Sequence, residues 1–317
     1  MKKFLRDILI YMVIVQCLFA LIIILQPLMV QGLRYDLSRH KLIINSLSDR
    51  ARQPDMIVFG NSLSMLGVNT KQISEKLPGH PLIYNLSSVD QGIVEGAYFI
   101  SELPQHTKAV IHCLDFSTFA LKSLDLQEEK AISMIMNGYS IDSTTKAVLG
   151  EINPFFNKAK LVVSFEARNT VRSSVHNVLR KYLDNERFAN NFHDRYFPHV
   201  YMEERHPNYP NISQFAEEPE LIVEDTVVAL ASRINSFLNK KGIRYHIVLM
   251  PLNQDIFKME DRLCNEYLEK VRTRLQGIDI LDLSRKLSQE YFYDAIHPNK
   301  KGAAVISAMI AEHLLRY

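Results

Sequence analysis

The sequence predicts an α/β protein with a five-stranded parallel sheet, preceded by one transmembrane helix. Short apolar segments rich in Val, Ile and Leu alternate with helical patterns, which is typical of parallel strands buried on both faces. An apolar stretch near the N-terminus is long enough to cross a bilayer as a helix. Of the 317 residues, 47% are hydrophobic, which is enough for one sizeable core.

The N-terminal apolar stretch covers residues 8–30 and follows a charged segment, residues 1–7, that we expect to lie in the cytoplasm. Between residues 8 and 25 only Gln16 is strongly polar. A cleaved signal peptide has a shorter apolar region and small residues at its cleavage site, and a soluble helix has a polar stripe. The sequence fits neither and predicts an uncleaved single-pass anchor. Lysines and arginines on both sides leave its orientation open.

The domain after the anchor contains five predicted strands, separated mostly by helices. The predicted strands are residues 56–59, 82–86, 109–114, 245–250 and 278–283. The predicted helices are residues 70–77, 92–103, 225–241, 257–275 and 300–315. Residues 31–54 are predicted to be a polar juxtamembrane linker, and residues 55–317 one domain.

Residues 116–224 interrupt this alternation and are predicted to be an insertion over the edge of the sheet where the site lies. Helical patterns cover residues 126–136 and 167–182, and an aromatic, charged run covers residues 188–209. Three histidines in that run, His193, His199 and His206, match no zinc-binding spacing. The sequence therefore predicts no metal site.

Charge and cysteine content narrow the function further. The net charge of +2, without any block of Lys or Arg, gives no reason to expect a nucleic-acid partner. Cys17, Cys113 and Cys264 fit no disulfide framework or metal spacing. We interpret them as small core hydrophobes.

Two short segments at opposite ends of the domain carry the candidate chemistry. Residues 60–64, Gly-Asn-Ser-Leu-Ser, follow the first strand, and Ser62 needs a base to become nucleophilic. Residues 294–297, Asp-Ala-Ile-His, precede the last helix, where Asp294 can orient His297 as that base. Taken alone, Ser62 is explained more simply as a helix cap and Asp294 as a turn residue. Their occurrence together favours catalysis.

These two segments resemble the SGNH/GDSL hydrolase superfamily, which has Gly-Asx-Ser-Leu after its first strand and Asp-x-x-His before its last helix. The resemblance covers residues 55–115 and 244–317. It implies a flavodoxin-like three-layer α/β/α sandwich. It also implies Ser62 as nucleophile, His297 as general base and acid, and Asp294 as orienting carboxylate, with no metal or organic cofactor.

The resemblance implies an oxyanion hole as well, with the backbone amide of Ser62 as its first donor. The second block of the family usually contains a glycine whose amide donates. In this chain Ser87 or Ser88 stands there, and either amide is expected to donate instead.

The third block departs from the family, which commonly has Gly-x-Asn-Asp with the Asn completing the oxyanion hole. Here Asp115 is present and no Asn, and an ionised carboxylate only accepts hydrogen bonds. Losing one such donor costs about 2.7–4 kcal/mol of transition-state stabilisation. Either Asn253 or the Ser117 hydroxyl substitutes, or activity is weak. A structural role suits Asp115 better than catalysis, and a turn suits Asn253.

A second departure is Asn61, where the family usually has Asp. Together the two departures resemble membrane-anchored members that act beside cell-envelope acyltransferases, such as the D-alanine transfer protein of teichoic acids and the alginate O-acetylation proteins. This implies a domain outside the cytoplasm. Its expected partners are an envelope polysaccharide or acylated carrier and a multi-pass membrane acyltransferase.

Three functions remain open from the sequence. The first is a serine esterase or O-acyltransferase that works through an acyl-Ser62 intermediate. The second is a degenerate domain that binds envelope polymer or docks a multi-pass acyltransferase. The third is a plain lipase or esterase acting on simple esters.

Overall fold

The structure is a computed structural model that describes residues 2–29, 36–122, 124, 126–150, 156, 221–254, 256–257 and 260–316. The helices are α1 Lys2–Met29, α2 Asp36–Ser48, α3 Ser62–Gly67, α4 Thr70–Lys76, α5 Ile93–Ile100, α6 Glu128–Met136, α7 Ser143–Leu149, α8 Asp225–Lys240, α9 Asp261–Arg274 and α10 Lys300–Leu314. The strands are β1 Met56–Gly60, β2 Ile83–Asn85, β3 Ala109–Leu114, β4 Arg244–Leu249 and β5 Asp279–Asp282. Short 3-10 helices cover Phe116–Ala120 and Gln289–Tyr291.

The five strands form one all-parallel sheet in the order β2-β1-β3-β4-β5. This confirms the predicted α/β class and the five-stranded parallel sheet. The order reverses between β1 and β3, and ligands of doubly wound sheets bind beyond the carboxyl ends of the strands at that point. The residues that follow Gly60 and Leu114, the last residues of β1 and β3, therefore occupy the expected position for a site.

Helices cover both faces of the sheet because successive strand side chains enter two apolar clusters. Ile57 and Phe59 of β1 belong to one cluster, with residues of α5 and α8, whereas Met56 and Val58 belong to the other, with residues of α4 and α10. All five residues of β1 are buried. Burial on both faces explains why β1 is apolar throughout and was recognisable in the sequence.

Helix α2 is a difference from the sequence prediction, which treated residues 31–54 as a linker. Ile43 and Leu47 of this helix are buried in the core, and α2 packs against α6. The guanidinium of Arg39 donates hydrogen bonds to the backbone carbonyls of Asn85 (2.5 Å) and Ser87 (2.7 Å). The helix escaped prediction because its buried face includes charged and polar side chains rather than a continuous apolar stripe.

Helix α1 is long and apolar enough to span a membrane. Its Lys2–Leu21 window has a mean hydropathy of 2.0, and none of that window is buried against the rest of the chain. The helix begins at Lys2, so residues 2–7 of the charged segment are helical too. These properties are compatible with a single-pass anchor.

Only part of the predicted insertion, residues 116–224, lies in the described residues. The predicted helix over residues 126–136 is present as α6. Met134 of α6 and Val148 of α7 join the core on the α5 face of the sheet. The described part of the insertion thus thickens one helical layer. The predicted helix over 167–182, the aromatic run over 188–209 and its three histidines lie outside the described residues.

Candidate active site

The turn between β1 and α3 presents Ser62. Gly60 has a φ of 151°, and a Cβ there would lie 2.4 Å from the carbonyl oxygen of Cys113, so only glycine fits. Asn61 caps α3 by accepting a hydrogen bond of 3.0 Å from the amide of Leu63. Ser62 is the first residue of α3 and is half-buried. The end of β1, the conformation of Gly60 and the cap from Asn61 together fix the direction of the Ser62 side chain.

A closed loop before α10 presents His297. Phe292 and Pro298 form an antiparallel bridge, and the amide of Tyr293 donates a 2.8 Å hydrogen bond to the carbonyl of His297. Asn299 then caps α10 through its side chain. The loop is held at both ends, which limits the movement of the imidazole.

The structure brings Ser62, His297 and Asp294 into one hydrogen-bonded line, although Ser62 and His297 are 235 residues apart. The Oγ atom of Ser62 lies 2.9 Å from Nε2 of His297, and Nδ1 of His297 lies 2.7 Å from Oδ2 of Asp294. The other carboxylate oxygen of Asp294 accepts hydrogen bonds from the amides of Ile296 (2.9 Å) and His297 (2.7 Å). The line has the connectivity of a serine–histidine–aspartate triad.

The charge on Asp294 favours one tautomer of the His297 ring. Burial raises the pKa of the Asp294 carboxyl, but hydrogen bonds from the His297 ring and from two backbone amides outweigh burial, so the pKa lies below its usual value. The carboxylate is therefore ionised at neutral pH and favours a proton on Nδ1 of His297. That tautomer leaves the lone pair of Nε2 directed at Ser62. The His297 side chain is 24% exposed, so the site stays open to solvent on one side.

Ser87 and Ser88 do not fill the oxyanion role that we expected of them. Both are fully buried. The amide of Ser87 donates to Oδ1 of Asn85 at 3.1 Å, and the amide of Ser88 donates to the carbonyl of Gly60 at 2.9 Å. The hydroxyl of Ser64 donates to that of Ser87 at 2.8 Å. These residues join the loop after β2 to the nucleophile turn, and this corrects the expectation that their amides face the substrate.

Asp115 contacts the nucleophile turn through Asn61. The side-chain amide of Asn61 donates a hydrogen bond of 2.6 Å to Oδ1 of Asp115. Burial raises the pKa of Asp115, the bond from Asn61 lowers it, and the nearby charge of Asp90 raises it, with a net rise. Asp115 therefore holds the side chain of Asn61 in place.

Asn253 follows β4 and is fully buried. Its backbone carbonyl accepts hydrogen bonds from the amides of Ile256 (3.0 Å) and Phe257 (2.9 Å), which forms a turn. This is the alternative that we preferred for Asn253. Ser117 lies half-buried in the 3-10 helix after β3.

A buried charged network beneath the loop after β2 was missed in the sequence. One Glu95 oxygen lies 3.0 Å from Nε2 of His40 and 2.7 Å from Oγ of Ser88, and the other accepts from Nζ of Lys130 at 2.7 Å. Lys130 also donates to the carbonyl of Val89 at 2.7 Å. Burial raises the pKa of Glu95, but His40 and Lys130 together lower it to about 2. The network ties α2, α5 and α6 to the loop beside the site.

The role of Gln91 in the turn before Ser62 was not predicted from the sequence either. Its side-chain oxygen accepts a hydrogen bond of 2.6 Å from the amide of Gly60, and the side chain is 2% exposed. It therefore stabilises the turn that positions Ser62. No sequence motif marks a glutamine for this role.

The sheet and the site define an α/β protein with a serine–histidine–aspartate arrangement at the carboxyl edge of its strands. The sequence matches no protein family and no curated protein. The functional argument therefore rests on the residues of the site.

Proposed function

We propose that this chain is a membrane-anchored serine esterase or O-acyltransferase of the SGNH type. The observation that carries the proposal is the hydrogen-bonded line from Ser62 through His297 to Asp294, with distances of 2.9 Å and 2.7 Å. Such a line lets a neutral imidazole remove the serine proton as the hydroxyl attacks a carbonyl carbon. The fold proposed with it is the flavodoxin-like three-layer sandwich of that superfamily.

The first half of the reaction acylates Ser62. Oγ of Ser62 attacks the carbonyl carbon of the ester while its proton passes to Nε2 of His297. The tetrahedral intermediate then collapses, the bond to the leaving oxygen breaks, and His297 returns the proton to that oxygen. Asp294 stabilises the imidazolium formed between these steps.

The second half of the reaction releases the acyl group. Nε2 of His297 takes the proton of an incoming hydroxyl, whose oxygen attacks the acyl carbon. Collapse of this second intermediate restores Ser62 with the proton held by His297. Water as acceptor gives hydrolysis, and a saccharide hydroxyl gives transfer.

The negative oxygen of both intermediates needs hydrogen-bond donors. The amide of Ser62 lies in the first turn of α3, where backbone N–H groups lack an acceptor within the helix. The side chain of Asn61 is the nearest amide in the sequence, although one of its N–H groups is used by Asp115. With Ser87 and Ser88 engaged elsewhere, the predicted rate is low for a triad enzyme.

The substrate we propose is an ester on a cell-envelope polysaccharide or an acylated carrier, handled outside the cytoplasm. Support comes from the exposed apolar helix α1 at the N-terminus and from the resemblance described above. A multi-pass membrane acyltransferase is the proposed partner.

A second candidate function is a degenerate domain that binds envelope polymer or docks an acyltransferase without using its triad. The engaged amides of Ser87 and Ser88, together with Asp115 in place of an amide donor, favour this candidate. It predicts that the hydroxyl of Ser62 is dispensable.

Replacing Ser62 by Ala in the cells that make this protein separates the two functions. An enzyme loses acyl transfer or release on its envelope polymer, measured as the ester content of the purified polymer. A docking or binding domain keeps that content unchanged. Ser236→Ala, on the exposed face of α8, is the matched control, and immunoblotting verifies equal amounts of each variant.

A further inference from the structure

Two histidines and an aspartate meet at the edge of the sheet, away from the triad. His246 is the third residue of β4, and Asp279 is the first residue of β5 and its register partner across the two strands. His313 belongs to the last turn of α10, which packs over the same face. Because His246 and Asp279 lie near the amino ends of their strands, this cluster is at the opposite end of the sheet from Ser62.

The three side chains converge on one oxygen atom. Nδ1 of His246 lies 2.5 Å from Oδ2 of Asp279, and Nε2 of His313 lies 2.6 Å from the same oxygen. The ligand atoms of all three residues lie within 4.8 Å of one another. His246 is 2% exposed and His313 is 9% exposed, whereas the Asp279 side chain keeps 18% of its surface accessible.

We propose that His246, Asp279 and His313 bind a divalent transition-metal ion of the zinc type. Two imidazole nitrogens and one carboxylate oxygen are a ligand set that Zn²⁺ accepts, with bonds of about 2.0–2.2 Å and a tetrahedral arrangement. Those bonds place neighbouring ligand atoms roughly 3.3 Å apart. The two distances from histidine nitrogens to Oδ2 of Asp279 therefore need to lengthen by less than about 1 Å to admit an ion. The exposed side of Asp279 leaves a path for the ion and for a fourth ligand from solvent.

The surroundings of the cluster favour a metal ion as well. α10 brings its apolar face, including Ile306 and Ile310, against the sheet, and His313 follows on that helix. Taking polar side chains out of water costs free energy unless strong interactions offset the loss. Bonds from three side chains to one cation are such interactions, and they link β4, β5 and α10.

The proposed ion has a structural role. With a rise of 1.5 Å per residue, His313 lies about 20 Å along α10 from Lys300, at the end remote from His297. The ion would hold the C-terminal end of α10 against β4 and β5. The N-terminal end of α10 follows the loop that carries His297. This proposal does not depend on the proposed enzymatic function.

The test is metal binding by the purified full chain in detergent. After removal of metal with EDTA, the protein is dialysed against Zn²⁺, and bound zinc is counted by mass spectrometry. We expect about one Zn²⁺ per chain and a Tm that rises with Zn²⁺ concentration, since binding to the folded state alone stabilises it. Co²⁺ at the same site gives the intense visible bands of tetrahedral coordination.

Two ligand variants and one control complete the test. Asp279→Asn and His313→Gln change little volume, and we expect each to weaken Zn²⁺ binding by at least about 100-fold and to abolish the Tm rise. His106→Gln, on an exposed histidine, should bind like the wild type. The proposal is overturned if the wild type, folded by circular dichroism, binds no stoichiometric Zn²⁺. It is also overturned if both ligand variants bind Zn²⁺ as the wild type does, and the three side chains are then a hydrogen-bonded cluster only.

Discussion

The side-chain amide of Asn61 donates a hydrogen bond of 2.6 Å to Oδ1 of Asp115, which joins the turn after β1 to the residue that follows β3. The pair consists of one amide and one carboxyl group. Two carboxylates at this distance would repel each other.

This contact predicts a reciprocal pair of variants. Asn61→Asp places two carboxyl groups together and should lower the free energy of unfolding at pH 7 by about 1–3 kcal/mol. The pKa of one carboxyl then rises above its unfolded value, so the loss should shrink as the pH falls and that group takes up a proton. Adding Asp115→Asn restores an amide–carboxylate bond and should recover the stability. Chemical denaturation at pH 5 and pH 7 measures both effects, and equal losses in the single and double variants would contradict the account.

The glycine before the nucleophile should tolerate no side chain. Gly60→Ala puts a Cβ 2.4 Å from the carbonyl oxygen of Cys113 and keeps a backbone conformation that alanine disfavours. Strain and overpacking together should cost about 2–5 kcal/mol. Gly79→Ala is the matched control, because Gly79 has a φ of 75° but nothing within 4 Å of an added Cβ. It should lose only about 1–2 kcal/mol. Similar Tm losses in the two variants would argue against the close approach.

Acid stability should depend on the buried carboxylate of Glu95. Burial opposes its ionisation, but His40 and Lys130 lower its pKa to about 2 from an ordinary value of 4.5. A lowered pKa contributes stability that is complete above the unfolded value and is lost as the pH falls toward the folded value. Unfolding between pH 5 and pH 2.5 should therefore include a component from Glu95.

Lys130→Met removes one cause of the lowered pKa and should move the acid transition to higher pH. Lys71→Met, at a lysine whose side chain is 77% exposed, should leave the transition in place. The measurement is the pH dependence of the Tm for the three proteins. Superimposable acid transitions for wild type and Lys130→Met would show that Glu95 titrates independently of this lysine.

Asp294 should act through the orientation of His297. Asp294→Asn removes the charge that favours a proton on Nδ1, and an imidazole in the other tautomer cannot accept the Ser62 proton at Nε2. The rate of acylation of Ser62 should fall on the order of 10⁴-fold with little change in Tm. Stopped-flow or gel-based labelling rates with an activated acyl probe measure the fall. An unchanged rate would remove Asp294 from the triad.

The sheet and the proximity of Ser62 to His297 could be predicted because each has a local signature in the sequence. β1 is buried on both faces and is apolar throughout, and all residues of β3 except His112 are apolar for the same reason. Ser62 comes soon after β1, and His297 comes just before α10. Residues that follow parallel strands lie at one edge of the sheet, the edge formed by the carboxyl ends of the strands.

The remaining features depend on contacts that have no local signature. Helix α2 was taken as linker because Arg39 and His40 on its buried face are polar, and their partners lie on distant elements. The engagement of the Ser87 amide depends on the rotamer of Asn85 two residues earlier. His246, Asp279 and His313 come from three elements, so no spacing marks them as a cluster.

The measurement that tests the central claim most directly is covalent labelling of the full chain, in detergent, with a fluorophosphonate probe. We predict labelling of the wild type and of the control Ser236→Ala, none of Ser62→Ala, and labelling of His297→Ala that is slower by at least about 10³-fold. Mass spectrometry of the labelled peptide should place the phosphonate on Ser62. Absence of labelling in a wild type that is folded by circular dichroism, or persistent labelling of Ser62→Ala, would contradict an activated nucleophile at Ser62.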